Sequence, residues 1–180
     1  FSASVKRYSE EHNVDVPIIY AIMETESFFN PAAKSPVPAF GLMQLVPGTG
    51  ARDAYRFLFE KDRVLKDAYL YDADNNIQLG VAYLHLLYNR YLKRIKDPHS
   101  RQWATIAAYN TGVQNVISSF VGEFTKSKHV NRWLWRQRAM KKINNMKPDQ
   151  VFEHMRKNLP YEETRDYIKK VRDRMPKYST

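Results

Sequence analysis

Residues 15–31 read DVPIIYAIMETESFFNP, and this stretch sets the class of the fold. Asp15 is a helix-capping residue type, Pro17 suits a first helical turn, and Pro31 pushes Asn30 out of helical geometry. Between them Ile19, Ile22, Met23 and Glu26 recur at i, i+3, i+4 and i+7, one stripe of a helix over 15–27. Glu26 therefore falls on the core-facing stripe, in the last turn, just before Phe28 and Phe29. Apolar neighbours and the negative end of the helix dipole both disfavour a charged carboxyl, so both are expected to raise its pKa. A carboxyl kept protonated near neutral pH is what a general acid requires. Stripe position alone leaves a structural ion pair open as a second reading. Glu24, about 200° away around the helix, is expected to face solvent.

Outward from this helix, nearly every segment reads as helical. Residues 30–40, NPAAKSPVPAF, are the exception, a loop stiffened by proline. GLMQLV (41–46) is expected to form a short helix closed by Pro47-Gly48, and residues 49–60 resume a helical pattern. Asp72 opens the longest expected helix, to about Arg94, with Ile77, Val81, Leu84 and Tyr88 on one face and Gly80 allowing close packing. Ser100 is expected to cap the next helix, on which Trp103, Ile106, Ala107 and Asn110 share a stripe. TGVQNVISSF (111–120) reads as a further short helix, and 130–145, 148–158 and 161–175 as three more, with Pro148 at a start and Pro160 as a separator. No alternating strand pattern, repeat or low-complexity tract interrupts this. The class is all-α, in a single domain over residues 1–180.

Composition narrows the chemistry. The chain has no cysteine, which excludes disulfides, thiolate catalysis and most zinc-site patterns. His12, His85, His99, His129 and His154 form no HExxH-type pair, no GxSxG elbow occurs, and GTG at 48–50 is too short for a phosphate loop. No metal and no cofactor are expected. No apolar run approaches the length of a membrane span. The chain opens at Phe1, which fits a trimmed product and leaves room for an N-terminal lipid anchor. The net charge is +10, and residues 121–180 hold 16 Lys+Arg against 7 Asp+Glu. This basic C-terminal third suits a polyanion: nucleic acid, anionic lipid or a carboxylate-rich cell-wall polymer. Lys126, Lys128, Arg132, Arg136, Arg138, Lys141 and Lys142, with Trp133 and Trp135 among them, are candidates to hold such a strand. A solvated helix face with two buried indoles is the plainer alternative.

Four motifs occur in order. Glu26-Ser27 is followed by Asn30-Pro31 and Ser35-Pro36, then Gly41-Leu42-Met43-Gln44, then Ala108-Tyr109-Asn110, and late in the chain Glu163-Thr164-Arg165 with Tyr167. In this order the chain resembles the family 1 lytic transglycosylases, the goose-lysozyme-like domains that cleave peptidoglycan, over roughly residues 10–175. Within them it is most similar to the membrane-bound C subgroup. The resemblance implies a lysozyme-like (goose-type/SLT) helical domain. It also implies roles: Glu26 as the catalytic acid, Ser35 as a serine orienting it, and Gln44 and Tyr109 beside the scissile bond. Asn110 would contact the sugar's acetamido region, Glu163 and Tyr167 would stand at the wall of the cleft, and Ser27 and Met43 would shape the site. One departure is Pro38, where the family carries glycine, which alters the expected loop path near Ser35.

Glycosidases ordinarily use two carboxyl groups. No convincing second acid accompanies Glu26 in the sequence, since Asp15, Asp72 and Asp74 sit at helix starts. The resemblance implies a reaction that needs only one. Glu26 protonates the oxygen between N-acetylmuramic acid and N-acetylglucosamine, then accepts the proton of the muramyl 6-hydroxyl as that hydroxyl closes a 1,6-anhydro ring. The expected partner is a peptidoglycan glycan strand, with no nucleic acid, and with membrane contact only through an anchor. The expected location is the bacterial envelope, periplasmic, and the expected state a monomer. The rivals are a hydrolytic goose-type lysozyme and, from another class, a nucleic-acid-binding helical domain built on residues 126–147.

Overall fold

A computed structural model describes residues 1–128 and 131–180; His129, and Val130 at the start of the helix expected over 130–145, lie outside the described residues. Every regular element among the described residues is helical, and extended pairing is limited to isolated bridges from Phe40 to Lys34 and to Leu45. The all-α expectation holds. The chain forms two units, one of Phe1–Leu86 with Lys170–Thr180, the other of Leu87–Lys169. No helix of the described residues is long and apolar enough to cross a membrane.

The first unit holds α1 (Ser2–His12), α2 (Val16–Ser27), α3 (Gly50–Phe59), α4 (Asp67–Tyr71) and α5 (Ala73–Leu86). Asp15 is extended ahead of α2 and Pro17 lies in its first turn, although the Asp15 side chain makes no capping bond. Ile18, Ile19, Ala21, Ile22 and Met23 are buried, so the apolar stripe is the core face. α1 is fastened to the start of α5 by Ser4 and Tyr8, whose hydroxyls each donate to Asp74 at 2.7 Å. Gly50 begins α3 where a Cβ would meet the Tyr83 ring at 2.9 Å, so this glycine serves helix packing. The expected helix from Asp72 is shorter than Arg94. Asp72 caps it, accepting from the Asn75 N–H at 2.9 Å, and after Leu86 it widens into a π-helical turn, Leu87–Tyr91.

The second unit holds that turn with α6 (Pro98–Thr111), α7 (Val113–Val121), α8 (Arg132–Asn144) and α9 (Pro148–Asn158). α10 (Glu162–Arg174) begins in this unit; its last residues, and the 3₁₀ turn Met175–Tyr178, belong to the first. α6 is buried around most of its girth, Ala104 to Tyr109 without a break. Its cap is Asp97, which accepts from the Ser100 N–H at 2.9 Å, and Ser100 itself is buried inside the first turn. The expected Ser100 cap is thus displaced by three residues, because Pro98 fixes the start of the helix. Trp135 is buried and donates to the Gly122 carbonyl at 2.8 Å, while Trp133 is 57 % exposed. The charge excess follows this unit: Leu87–Lys169 carries 17 Lys+Arg against 7 Asp+Glu, and the other unit carries 12 of each.

Candidate active site

Glu26 lies partly buried in the last turn of α2. The helix ends by a double left-handed turn, Phe28 at φ 51° and Phe29 at φ 61°. Such a conformation costs roughly 1–2 kcal/mol per non-glycine residue and persists where neighbours enforce it. Here they do. The Phe28 N–H donates to the Glu24 carbonyl at 3.1 Å, the Arg174 guanidinium lies 5.2 Å over the Phe28 ring, and Phe29 packs against Tyr20 and Tyr178, each at 6.3 Å. Asn30 then turns the chain by accepting from the Ala32 N–H at 3.0 Å. The Ser27 hydroxyl reaches the Met23 carbonyl at 3.1 Å and the Leu42 carbonyl at 2.8 Å, so the residue after Glu26 ties α2 to the Gly41–Gln44 segment.

That segment is a turn and not the expected helix. Gly41 at φ 77° and Gln44 at φ 48° are both left-handed, and Phe40 and Leu45 exchange two backbone bonds of 3.0 Å that close it. The Gln44 amide donates to the carbonyls of Gly41 at 2.9 Å and Ala33 at 3.1 Å, which fastens the turn to the proline loop. In that loop Ser35 donates its hydroxyl proton to the Val37 carbonyl and accepts from the Ala39 N–H at 3.1 Å. Pro38 thus sits at the tip of a small closed loop with both sides held by Ser35.

Asn76 is the residue that sequence reasoning missed. It is fully buried, accepts from the Met43 N–H at 2.8 Å, and donates to the carbonyls of Phe40 and Leu70, each at 2.8 Å. One amide side chain therefore holds the turn to α5 and to the end of α4. The available signal was a polar residue one position before Ile77 and four before Gly80. At Gly80 a Cβ would lie 2.3 Å from the Met43 sulfur, and Met43 itself is fully buried.

Glu24 does not face open solvent, contrary to expectation. Its carboxylate accepts from the Tyr178 hydroxyl at 2.6 Å, and Lys177 and Arg174 stand at 3.3 and 3.9 Å, leaving the side chain 15 % exposed. The Tyr178 hydroxyl, with Lys177, holds it below the ordinary carboxylate range. Periodicity placed Glu24 on the face opposite the core, and a segment some 150 residues later in the chain covers that face.

In the second unit Tyr109 is almost wholly buried at the end of α6. Asn110 accepts from the Thr164 hydroxyl at 2.8 Å, which brings the Tyr109-Asn110 motif together with the Glu163-Thr164-Arg165 motif. Thr164 is buried, Glu163 is exposed, and Tyr167 is buried one turn on. Arg165 is tied down by its guanidinium to the Leu159 carbonyl and by its own carbonyl to Arg156, both at 2.5 Å. Glu26, Ser27, Ser35, Met43 and Gln44 belong to one unit; Tyr109, Asn110, Glu163 and Tyr167 belong to the other. Among the described residues no group of three His, Asp or Glu is placed to hold a metal ion.

The helical scaffold, with an acid in the last turn of α2 and the next residue bonded to a Gly-Leu-Met-Gln turn, is that of a lysozyme-like helical domain. The chain belongs to the transglycosylase SLT domain family, whose model matches residues 3–132. It is 39 % identical over 174 residues to the membrane-bound lytic murein transglycosylase C of Sodalis glossinidius (strain morsitans) and 37 % identical to that of Serratia proteamaculans (strain 568). Each match takes in 97 % of this chain and 45 % of the relative, so the chain spans under half the length of these relatives. Among solved structures, an inactive mutant of the lytic transglycosylase Slt from Pseudomonas aeruginosa superposes with a TM-score of 0.67 at 25 % identity, covering 98 % of this chain and 23 % of that one. The 70 kDa soluble lytic transglycosylase of Escherichia coli gives a TM-score of 0.68 at 24 % identity, over 99 % of this chain and 24 % of that one, a likeness of fold.

Proposed function

We propose that this chain is the catalytic portion of a peptidoglycan lytic transglycosylase, with Glu26 as its acid and base. The observation that carries the reading is the junction at residue 27. Glu26 lies in the last turn of α2, and the next side chain, Ser27, is bonded to the Gly41–Gln44 turn, within a chain of the SLT family.

The chemistry needs no water and no second carboxylate. The Glu26 carboxylic acid gives its proton to the oxygen linking N-acetylmuramic acid to N-acetylglucosamine, and the C1–O bond breaks. The adjacent acetamido carbonyl stabilises the cationic C1. The Glu26 carboxylate then takes the proton of the muramyl 6-hydroxyl as O6 bonds to C1, which restores the acid and leaves a 1,6-anhydro ring. Tyr109 supplies a hydrogen bond to developing charge or to the acetamido carbonyl. Asn110 and Gln44 contact the sugars, Ser35 orients the acid, Ser27 and Met43 shape the turn, and Glu163 and Tyr167 flank the strand. The basic unit Leu87–Lys169 suits the carboxylates of the stem peptides. The location that fits this substrate is the periplasmic side of the bacterial envelope, with the protein acting as a monomer.

The test is digestion of purified peptidoglycan, with Glu26→Gln in parallel and the soluble products read by mass spectrometry. Fragments ending in 1,6-anhydromuramic acid, lost in the variant, are expected. Reducing muramic acid, heavier by one water, would move the assignment to a hydrolytic lysozyme.

A further inference from the structure

We infer that the turn Arg174–Tyr178 is a positioning clamp for the catalytic acid, acting on the far side of α2 through Glu24 and through the Phe28-Phe29 exit. The inference rests on the proposed role of Glu26 and adds residues that the family motifs do not contain; they lie beyond the stretch 3–132 that the family model matches.

The contacts converge on four residues around Glu26: Glu24, Thr25, Phe28 and Phe29. Upstream, Glu24 takes the Tyr178 hydroxyl at 2.6 Å and Lys177 at 3.3 Å. Between Glu24 and Glu26, the Thr25 hydroxyl accepts from the Arg174 guanidinium at 2.9 Å while itself donating to the Ala21 carbonyl at 2.7 Å. Downstream, Arg174 covers the Phe28 ring and Tyr178 meets Phe29 edge-on. Tyr178 also packs on Tyr20, one turn above Glu24, with ring centres 5.2 Å apart. The last turn of a helix normally frays, since its carbonyls lack partners and its side chains move with it. Here one short segment grips that turn from both ends. It also supplies side-chain contacts at both strained residues, Phe28 and Phe29. A general acid must hold its proton within hydrogen-bond reach of one oxygen, so rigidity of this turn converts directly into rate.

Clamp and scaffold differ in what they change. A scaffold contact lowers melting temperature and leaves the folded enzyme's kcat alone. A positioning contact lowers kcat and moves its pH profile at temperatures where the protein is fully folded. The variants are Tyr178→Phe, which keeps the ring and removes the 2.6 Å bond, and Glu24→Gln, which keeps the shape and removes the charge. Each is expected to lower kcat on peptidoglycan about tenfold with KM within about twofold, and to shift the limbs of the kcat–pH profile. The double variant is expected to lose less than the product of the two single losses, because Glu24 and Tyr178 are in contact and share one bond. Unchanged kcat and pH profile in both variants, with wild-type activity dependent on Glu26, would overturn the clamp and leave the proposed function standing. If the wild-type protein releases nothing from peptidoglycan, the functional reading fails instead. The clamp is then read by carboxyl ¹³C NMR titration of Glu26. A midpoint that moves by about half a pH unit in Tyr178→Phe upholds it, and an unmoved midpoint overturns it.

Discussion

Asn76 Oδ1 accepts the Met43 N–H at 2.8 Å, and through that bond a helix that carries no motif residue sets the path of the Gly41–Gln44 turn. The same amide satisfies two further backbone carbonyls in a fully buried place. Its loss removes one bond each from the Met43 N–H and the Leu70 and Phe40 carbonyls, of which the Phe40 carbonyl keeps the Leu45 N–H, and each lost bond is costly where water cannot reach. Asn76→Ala is expected to destabilise the protein by about 2–4 kcal/mol and to reduce activity in the protein that remains folded. Urea unfolding followed by circular dichroism measures the first effect. A loss under about 0.5 kcal/mol would mean that the turn holds itself.

Gly80 sits under Met43, where a methyl group would lie 2.3 Å from the sulfur and 2.8 Å from the terminal carbon. On propensity alone, Gly80→Ala should gain up to about 1 kcal/mol in mid-helix. The overlap opposes this, and overpacking of a filled core typically costs about 1–3 kcal/mol. Net destabilisation is expected, with Met43 displaced and the turn with it. Thermal melting decides the sign, and a raised melting temperature would show that Met43 has room to move.

The bonds from Ser4 and Tyr8 hold the Asp74 carboxyl below its ordinary value of 3.8, and burial with Asp74 pushes the Tyr8 phenol from 10.0 to about 12. The two shifts act at opposite ends of the pH scale. A depressed carboxylate contributes stability that is present above its unfolded pKa and lost as pH falls through the folded one. A raised phenol contributes stability that is present below 10.0 and lost as pH rises through about 12. The α1–α5 junction is therefore expected to be strongest between about pH 4 and pH 10. Hydrogen exchange of α1 amides at pH 3, 7 and 11 reports it against Asp74→Asn, which should lose protection at pH 7 and show flatter ends. Identical profiles would remove Asp74 from the account.

His12 is packed against His85 and Phe57, with ring centres 5.5 and 6.2 Å away. Burial first, and then the neighbouring imidazole, lower its pKa below 6.5, with Glu11 opposing. The unfolded chain thus takes up the proton more readily than the folded one. This contribution to stability is full above 6.5 and declines as pH falls below it. His12→Gln should flatten the dependence of the urea midpoint between about pH 7 and 5. An unaltered slope would place that dependence elsewhere.

Helices were legible wherever local chemistry fixes them. Pro17 and Pro148 mark starts that the structure keeps, and the stripe Ile19, Ile22, Met23 is the buried face of α2. What failed depends on partners far away in sequence. GLMQLV looks helical because its apolar residues are good helix formers, yet Asn76 and the Phe40–Leu45 pairing hold it as a turn. Glu24 looks solvated because nothing nearby in sequence covers it, and its partners lie about 150 positions on. The candidate site follows the same division. Its motifs are contiguous strings and could be read directly. Asn76 and Tyr178, which hold the turn and the end of α2 in place, are single residues with no local signature.

Residues 170–180 belong to the same unit as Phe1–Leu86, although the whole of Leu87–Lys169 is synthesised before them. During translation the helix bearing Glu26 therefore emerges early and waits for its outer face to be covered. A nascent chain stalled before Arg174 has an open flank on α2 and a double left-handed Phe turn held only by the Phe28 N–H on the Glu24 carbonyl and by Tyr20 against Phe29, without Arg174 and Tyr178. Order of synthesis thus keeps this helix end immature until translation has passed Tyr178, so interrupted products carry the acid without the support that holds its turn rigid.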